Sequence, residues 1–390
     1  MPQLANYSSC VGCTACRSVC PMQCVEMKKD NNGFEFPEFA DITSCIDCGA
    51  CEGVCPVLIE KEQKSANVPV AYSAFSKDEK VRMDSSSGGI FSEIAKNILV
   101  QNGVVFGAAY NEGFEVEHCC VDNEEELCKL RGAKYSESNL GNTFVEIRTR
   151  LKQGQKVLFS STPCQVAGLK SFLQKEYDNL FCVDFVCHGV PSPMAWKSYI
   201  DYRAQKDANG EYPTEINLRS KKTGWSRYQY SNVFKYQNGI EHSVLSSQSL
   251  FMKLFVGDYI SRPSCGNCKF KGYSHVSDIT LGDFWGIWDI DSEMDDNKGT
   301  SVILVQSEKG KLLWNEISEN IRFKEVSLEQ TSQQNPSMLY VSKANAERER
   351  VLEMIRDGKI TACNKLFVKP KTTVLNRMKV KVKHLVKKIL

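Results

Sequence analysis

The chain has 390 residues, of which 42% are hydrophobic and 25% are charged, a composition typical of a globular protein with a sizeable core and two or three domains. Its formal net charge is +2, but residues 366–390 contain eight Lys or Arg and no Asp or Glu, which leaves residues 1–365 at −6. The acidic body argues against a nucleic-acid partner, and no apolar run approaches the length of a membrane span.

A cysteine pattern near the beginning of the chain occurs twice, 35 residues apart. The two copies, CVGCTACRSVCP and CIDCGACEGVCP, share the spacing C-x2-C-x2-C-x3-C-P. This spacing is that of bacterial-type ferredoxins, in which three cysteines of one copy hold one [4Fe–4S] cluster and the fourth holds the other cluster. The expected ligand sets are Cys10, Cys13, Cys16 and Cys55 for one cluster, and Cys45, Cys48, Cys51 and Cys20 for the other.

Structural zinc and disulfides are the alternatives for these cysteines. Zinc sites usually use pairs of cysteines rather than triplets followed by Cys-Pro, and disulfides need an oxidising compartment. The segment MPQLANYSSC lacks a basic and then apolar signal pattern, so the 18 cysteines of the chain fit a cytoplasm that keeps thiols reduced. We therefore expect a cytoplasmic protein that transfers electrons.

The fold class predicted from the order of elements is α+β, with a small two-cluster ferredoxin domain at residues 1–60. Between the two cysteine motifs, residues 33–39 (GFEFPEF) alternate like a short strand. Residues 60–69 are polar and lack periodicity, which predicts a linker. A larger mixed α/β domain is expected over residues 70–320, and a helical extension over 321–390.

The larger domain begins with a helix and a buried strand. The apolar residues from Ile90 to Leu99 have helical spacing, and Gly103 ends the helix before the strand VVFGAAY at 104–110. The residues before this helix are Ser86-Ser87-Gly88-Gly89. Free amide groups at such a glycine-containing helix start suit a phosphate, although a plain helix cap explains the same residues equally well.

Two cysteines follow successive predicted strands. Residues 156–159 form one strand, a helix runs from Pro163 to about Gln174, and residues 180–186 form the next strand. This order predicts a right-handed parallel crossover, which would bring Cys164 and Cys187 to the same edge of the sheet. The alternative for each cysteine is an inert buried thiol.

A third cysteine pair, Cys265 and Cys268, occurs in RPSCGNCKF. By itself this pair is equally well explained as a loose pair or half a zinc site. Together with Cys164 and Cys187 it supplies four thiolates, enough for a third [4Fe–4S] cluster. The remaining cysteines, including Cys24, lack ligand spacing and are expected to be packing or surface thiols.

The end of the chain predicts an amphipathic helix at 373–390, with an apolar stripe on one face and lysines on the other. Such a helix suits peripheral contact with an anionic membrane surface. The alternatives are a helix packed on the body of the protein and a docking arm for an acidic partner. Before it, strands are expected at 233–236 and 301–306 and a helix at 311–320.

The motifs as a series resemble the coenzyme F420 hydrogenase/dehydrogenase beta-subunit family. The resemblance covers about residues 1–310 and is carried by the cysteine repeat and by SSSGGIFSEIA, GAKYSES, STPCQVAGL, VCHGVPSP, CGNCKF, SDITLGDFWG and KGTSVILVQSEKG. It implies an iron–sulfur flavoprotein in which Ser87, Gly88 and Gly89 contact FAD, with Lys134 and Tyr135 nearby. It also implies that Cys164, Cys187, Cys265 and Cys268 hold the inner cluster, with Asp283 near that site.

The resemblance further implies an oxidoreductase that passes electrons between ferredoxin-type clusters and FAD. Its substrate would be a small molecule that gives or takes a hydride, either F420 or an unsaturated or carbonyl metabolite. The expected partner is ferredoxin or another low-potential redox donor. The alternative is an electron-transfer subunit of a larger redox complex, with the chemistry on a partner chain.

Overall fold

The computed structural model describes residues 2–59 and 68–368. Most of the predicted linker at 60–69 and all of the predicted basic helix at 373–390 lie outside these residues. Every helix in the described ranges is too short or too polar to span a lipid bilayer.

The strands of the described residues form a two-stranded, a three-stranded and an eight-stranded sheet. Their bounds are β1 (Val25–Lys29), β2 (Glu35–Phe39), β3 (Val70–Ser76), β4 (Val104–Tyr110), β5 (Val116–Val121), β6 (Val157–Ser160), β7 (Leu180–Phe185), β8 (Glu215–Ser220), β9 (Ser231–Lys235), β10 (Glu241–Leu245), β11 (Ile279–Asp283), β12 (Ser301–Val305) and β13 (Ile321–Val326). The small sheets are β1-β2 and β10-β9-β8, both antiparallel. The large sheet has the order β13-β3-β12-β11-β7-β6-β4-β5.

The helices of the described residues pack mainly around the large sheet and beside the three-stranded sheet. They are α1 (Ala15–Val19), α2 (Ala50–Gly53), α3 (Glu79–Asp84), α4 (Ile90–Val100), α5 (Thr143–Lys152), α6 (Pro163–Leu173), α7 (Pro193–Ala208), α8 (Leu250–Val256), α9 (Ile287–Ile290), α10 (Glu308–Ile317), α11 (Leu328–Ser332) and α12 (Arg348–Arg356). Proline is the first residue of both α6 and α7, where its missing N–H is not needed.

Helices cover both faces of the large sheet. Neighbouring residues of each strand point to opposite faces, so each strand contributes side chains to both. Leu158 packs with residues of α4 and α10, whereas the next residue, Phe159, packs with residues of α5 and α6. The N-terminal cysteine region lies on the second of these faces, where Cys13 and Ala15 join the same buried cluster as Phe159. This packing brings the region of the cysteine repeat directly against α6.

The predicted mixed α/β fold is confirmed, including its central crossover. Strands β6 and β7 are parallel neighbours, and α6 connects them. The predicted helix at 90–99 and the predicted strand at 104–110 correspond to α4 and β4.

The sequence analysis missed four strands of the large sheet, β3, β5, β11 and β13. Strand β11 lies parallel to β7 and antiparallel to β12, which makes the sheet mixed. Strand β13 pairs with β3, so the sheet continues to Val326, past the predicted domain limit at residue 320. The side chains of α12 are buried with those of α7 and α8, so the described part of the predicted 321–390 extension is integrated in the core. The other predicted domain limits stay predictions.

Gly88 packs between two strands, and this packing generates a stability prediction. A Cβ atom on Gly88 would overlap the carbonyl oxygen of Ala74 in β3 and lie 3.0 Å from the amide nitrogen of Ser301 in β12. We expect Gly88→Ala to lower the free energy of unfolding by about 1–3 kcal/mol, because both neighbours are backbone atoms that must move. Chemical denaturation followed by circular dichroism measures this loss.

The matched control is Gly113→Ala, since a Cβ atom there meets only the Asn111 side chain, at 3.5 Å. That change should stay within about 0.5 kcal/mol of the wild type. Equal losses for the two variants would contradict the packing role of Gly88.

Candidate functional site

Both N-terminal cysteine loops contain the same backbone turn. Gly12 and Thr14 have φ angles of 68° and 62°, and the equivalent residues of the second copy, Asp47 and Gly49, have 55° and 68°. Left-handed residues at two alternate positions curl the loop tightly, and glycine adopts this conformation at little cost. The sequence repeat is therefore also a structural repeat, as expected of two loops that surround similar groups.

The first group of N-terminal thiols consists of Cys10, Cys13, Cys16 and Cys55. These residues line one cavity, which Cys51 also borders. Burial raises the pKa of Cys16 to about 12, and the nearby Cys10 and Cys55 contribute to the rise. The structure thus brings together the four cysteines that the spacing predicts as one ligand set.

The second group lies closer to the surface. Burial raises the pKa of Cys51, with a contribution from Cys20, and Cys48 is exposed. Cys24 is buried beside this group, with its Sγ 3.4 Å from that of Cys20. The pKa of Cys24 is raised to about 11. The hydrogen-bonding contact with Cys20 contributes most to this rise, and burial and the nearby Cys45 contribute further. Sequence spacing gave Cys24 only a packing role and missed this position.

A third set of cysteines lines a separate inner cavity, to which Cys164, Cys187, Cys265 and Cys268 all contribute. Cys164 lies in the first turn of α6, just after β6, and Cys187 follows β7. Because β6 and β7 are parallel neighbours, their carboxyl ends meet at one edge of the sheet. The other two cysteines come from the turn after α8, where Val190 N–H donates to Cys265 Sγ at 3.4 Å.

The inner thiols are in surroundings that oppose their ionisation. Burial raises the pKa of Cys187 to about 12 and that of Cys265 to about 11, and it raises the pKa of Cys164 well above its ordinary value. Neighbouring thiols of the set contribute to each of these three rises. Ionisation of all four thiols would therefore need compensating positive charge, such as that of metal ions.

No three His, Cys, Asp or Glu side chains in the described ranges are grouped as the ligands of a single metal ion. A [4Fe–4S] cluster differs from a single ion because its cysteine ligands are distributed around four irons. The donor set of four soft thiolates fits such a cluster.

Polar side chains that the sequence analysis did not select also line the inner cavity. Lys271 donates hydrogen bonds to the carbonyl oxygens of Cys187 and Ser337. His275 lies 2.9 Å from the buried Asp184, which raises the pKa of the histidine against the opposing effect of burial. These contacts join residues far apart in the sequence, so no local spacing signalled them.

The loop before α4 lies beside an arginine that sequence reasoning also missed. Arg219 forms two hydrogen bonds of 2.8 Å with Asp283 and donates to Tyr135 Oη at 3.3 Å and Ser86 O at 3.2 Å. Its Nε is buried without a hydrogen-bond partner. The guanidinium also lies 4.1 Å from the ring centre of Tyr230. A buried cation, a phenol and a glycine-containing helix start thus occupy one location.

Three of the residues expected at or near the flavin already have protein partners. Gly88 N–H donates to Ser301 Oγ at 2.9 Å, and Ser87 Oγ donates to Thr300 O at 3.0 Å. Lys134 Nζ donates to two backbone carbonyl oxygens, and burial lowers its pKa to about 7. The amide of Gly88 is therefore not a free phosphate donor, contrary to the simplest interpretation of the motif.

The inner cavity and the loop before α4 lie along the same edge of the sheet. Strand β11 is parallel to β7, so Asp283 at its end lies on the same edge as Cys187. Asp283 lies opposite Ser301, the first residue of β12, in the strand register. The hydroxyl oxygen of Ser301 accepts a hydrogen bond from the amide of Gly88. The edge to which parallel strands direct their carboxyl ends thus carries both candidate cofactor sites, as expected for an α/β sheet.

Comparison with family models gave three matches. Residues 154–331 match the C-terminal part of the coenzyme F420 hydrogenase/dehydrogenase beta subunit, and residues 71–143 match its N-terminal part. Residues 9–59 match a 4Fe-4S dicluster domain. Comparison with curated proteins gave no match.

Among solved structures, similarity was found to a chain of the xenon-derivatised F420-reducing [NiFe] hydrogenase complex from Methanosarcina barkeri. The two chains have 16% sequence identity and a TM-score of 0.44, over 79% of this chain and 94% of the other. The assignment to a family depends on the sequence models, which cover both halves of the larger sheet region and the cysteine repeat. The chain belongs to the coenzyme F420 hydrogenase/dehydrogenase beta-subunit family and carries an N-terminal 4Fe-4S dicluster domain.

Proposed function

We propose that this protein is an iron–sulfur flavoprotein oxidoreductase that passes electrons between ferredoxin-type clusters and FAD. In this proposal a hydride is transferred to or from a small molecule, either F420 or an unsaturated or carbonyl metabolite. The observation that carries the proposal is the meeting of four thiols from separate segments in the inner cavity, on the same sheet edge as Arg219 and Tyr135. A packing role does not explain why four thiols from separate segments converge at a ligand-binding edge.

Twelve cysteines are proposed to hold three [4Fe–4S] clusters. The sets are Cys10, Cys13, Cys16 and Cys55; Cys20, Cys45, Cys48 and Cys51; and Cys164, Cys187, Cys265 and Cys268. Such clusters supply one-electron transfer. The apolar side chains of Val57, Ala167 and Phe270 pack against Cys164 and Cys268 and shield part of the inner set from water.

FAD is proposed to bind at the loop before α4, through Ser87, Gly88 and Gly89, with Lys134 and Tyr135 nearby. A bound flavin supplies two-electron hydride chemistry together with one-electron chemistry. The buried Nε of Arg219 fits an anionic or carbonyl group of such a ligand, and Asp283 fixes the orientation of the guanidinium. Gly88 contributes through close backbone packing, since its own amide is bonded to Ser301.

The exposure of Cys48 supports the docking of an external redox donor, such as a ferredoxin, at the second N-terminal group. Met22, Ile42 and Ile46, which flank the cysteines of this group, are also exposed.

A second candidate function is an electron-transfer subunit whose partner chain carries the chemistry, which the description of the family as a beta subunit favours. The dicluster domain within the same chain favours the first candidate, because it supplies a redox input. Membrane contact through residues 373–390 stays a prediction.

The number of clusters should appear in the iron content. We expect about twelve irons per chain after anaerobic purification, since three [4Fe–4S] clusters have four irons each. The double change Cys265→Ser and Cys268→Ser should lower the content to about eight, because serine replaces two ligands of the inner set. Iron and sulfide analysis measures this, and electron paramagnetic resonance should still detect the N-terminal clusters.

The control is Cys128→Ser, which changes an exposed cysteine outside the three sets and should leave iron unchanged. Eight irons in intact wild-type protein would remove the inner cluster from the proposal.

Flavin binding should depend on Arg219. We expect Arg219→Lys to weaken FAD binding about tenfold, or about 1.4 kcal/mol, because lysine keeps the charge beside Asp283 but lacks Nε and the two-pronged geometry. Titration of cluster-containing protein with FAD, followed by flavin fluorescence, measures the dissociation constant.

The matched control is Arg203→Lys, since Arg203 is also buried and paired, with Asp207 at 2.5 Å, and its Nε also lacks a partner. This control should bind FAD like the wild type. Wild-type protein that neither retains nor rebinds FAD would contradict the flavin proposal, and equal affinities for the three proteins would contradict the role of Arg219.

A further inference from the structure

Arg262 is buried where the first N-terminal thiol group meets the inner cavity. Its side chain is 2% exposed, and it lines the inner cavity together with Val11. Its Nε donates to Cys10 O at 2.9 Å, and its Nη2 lies 3.7 Å from Cys10 Sγ. A single guanidinium therefore contacts a predicted ligand of one cluster and borders the site of another.

The backbone of Arg262 belongs to the inner site. Its N–H donates to Val190 O at 2.8 Å, and its carbonyl oxygen accepts from Cys265 N–H at 3.0 Å. The side chain thus extends from the loop of Cys265 into the loop of Cys10. Arg262 therefore lies 3.7 Å from Cys10 Sγ through its Nη2 and lines the same cavity as Cys265.

The surroundings hold the guanidinium in one position. Nη1 donates to the Glu137 carboxylate at 2.5 Å, and Nη2 donates to Glu35 O at 2.8 Å. The ring centre of Phe36 lies 4.2 Å away. Gly12 leaves room for this position, because a Cβ atom there would lie 3.0 Å from Nη1 in a backbone with φ of 68°. A salt bridge that served only stability would not need a contact with a cysteine sulfur.

Of the two N-terminal thiol groups, the first is in direct packing contact with the inner site. A Cβ atom on Gly168 of α6 would lie 2.8 Å from Cys13 Sγ, and Gly168 is one helical turn after Cys164. Cys55 packs in the same apolar cluster as Cys164 and Cys268. The second group instead reaches the surface at Cys48.

We infer that Arg262 is a positioning residue that joins the Cys10-group cluster to the inner cluster and raises the reduction potentials of both. The inference rests on the proposed cluster assignment. Reduction adds one electron to a cluster and makes it more negative, so a fixed cation and an N–H group directed at a ligand sulfur stabilise the reduced form. The Cys20, Cys45, Cys48 and Cys51 cluster has no such contact with Arg262 and should not depend on it.

The test uses Arg262→Gln and Arg262→Lys in anaerobic full-length protein whose iron and sulfide have been quantified. Reduction with dithionite in a potentiometric titration, followed by electron paramagnetic resonance, gives the midpoint potential of each cluster. Variants with Cys265→Ser or Cys48→Ser assign the signals to the inner cluster and to the exposed one. Arg203→Gln is the control, since it removes a buried, paired arginine from a region without cysteine ligands.

We expect Arg262→Gln to lower the potentials of the Cys10-group and inner clusters and to leave the third unchanged. Arg262→Lys should lower the same two potentials by less, because it keeps the charge but loses the contacts to Cys10. If Arg262→Gln does not retain iron, Arg262→Lys alone decides, and wild-type potentials in it overturn the inference. Equal shifts in all three clusters, or an equal shift in the Arg203→Gln control, also overturn it.

Failure of the inference is separable from failure of the proposed function. Wild-type protein with three clusters and Arg262 variants with unshifted potentials would contradict the inference alone. Wild-type protein without the inner cluster would contradict both.

Discussion

The close contact between α6 and the Cys13 loop is the interaction on which the arrangement of the candidate sites depends. Gly168 permits this contact, because any side chain at its position would meet Cys13. Glycine within a helix costs about 1 kcal/mol relative to alanine, so its presence there is explained by packing rather than by helix propensity. The same helix carries Cys164 one turn earlier, so a single element contacts the N-terminal thiols and contributes to the inner set. Separate domains without this contact would keep the two sets apart.

Buried charge is the second constraint, and the protein satisfies it with paired cations. Arg219 with Asp283 and Arg262 with Glu137 are both buried ion pairs at candidate cofactor sites. Moving either arginine away from its carboxylate would leave an uncompensated charge in surroundings of low polarity. This cost holds each guanidinium in position. The inner thiols of Cys164 and Cys187 have raised pKa values and need positive charge before they can bind as thiolates. In the proposed assignment, bound iron would supply that charge.

The sequence predicted the parts of the structure that local patterns encode. The spacing of the repeat predicted that Cys10, Cys13, Cys16 and Cys55 are neighbours, and these residues line one cavity. Strand–helix–strand periodicity predicted that Cys164 and Cys187 share an edge of the sheet, and both line the inner cavity. Local sequence patterns gave no signal for Arg219, Arg262 or Asp184, because their partners lie on distant segments. The motif Ser87-Gly88-Gly89 suggested free amides, whereas the neighbouring strand β12 binds the amide of Gly88. Strand β11 was missed because five residues with little alternation give a weak signal.

The central claim is that three sets of four cysteines each hold an iron–sulfur cluster. Anomalous X-ray scattering at the iron absorption edge, from crystals grown without oxygen, tests it most directly because it locates iron independently of any assumed ligand. The account predicts three separate iron positions: one among Cys10, Cys13, Cys16 and Cys55, one among Cys20, Cys45, Cys48 and Cys51, and one among Cys164, Cys187, Cys265 and Cys268. Iron confined to the N-terminal repeat, with no anomalous signal in the inner cavity of fully loaded protein, would contradict it.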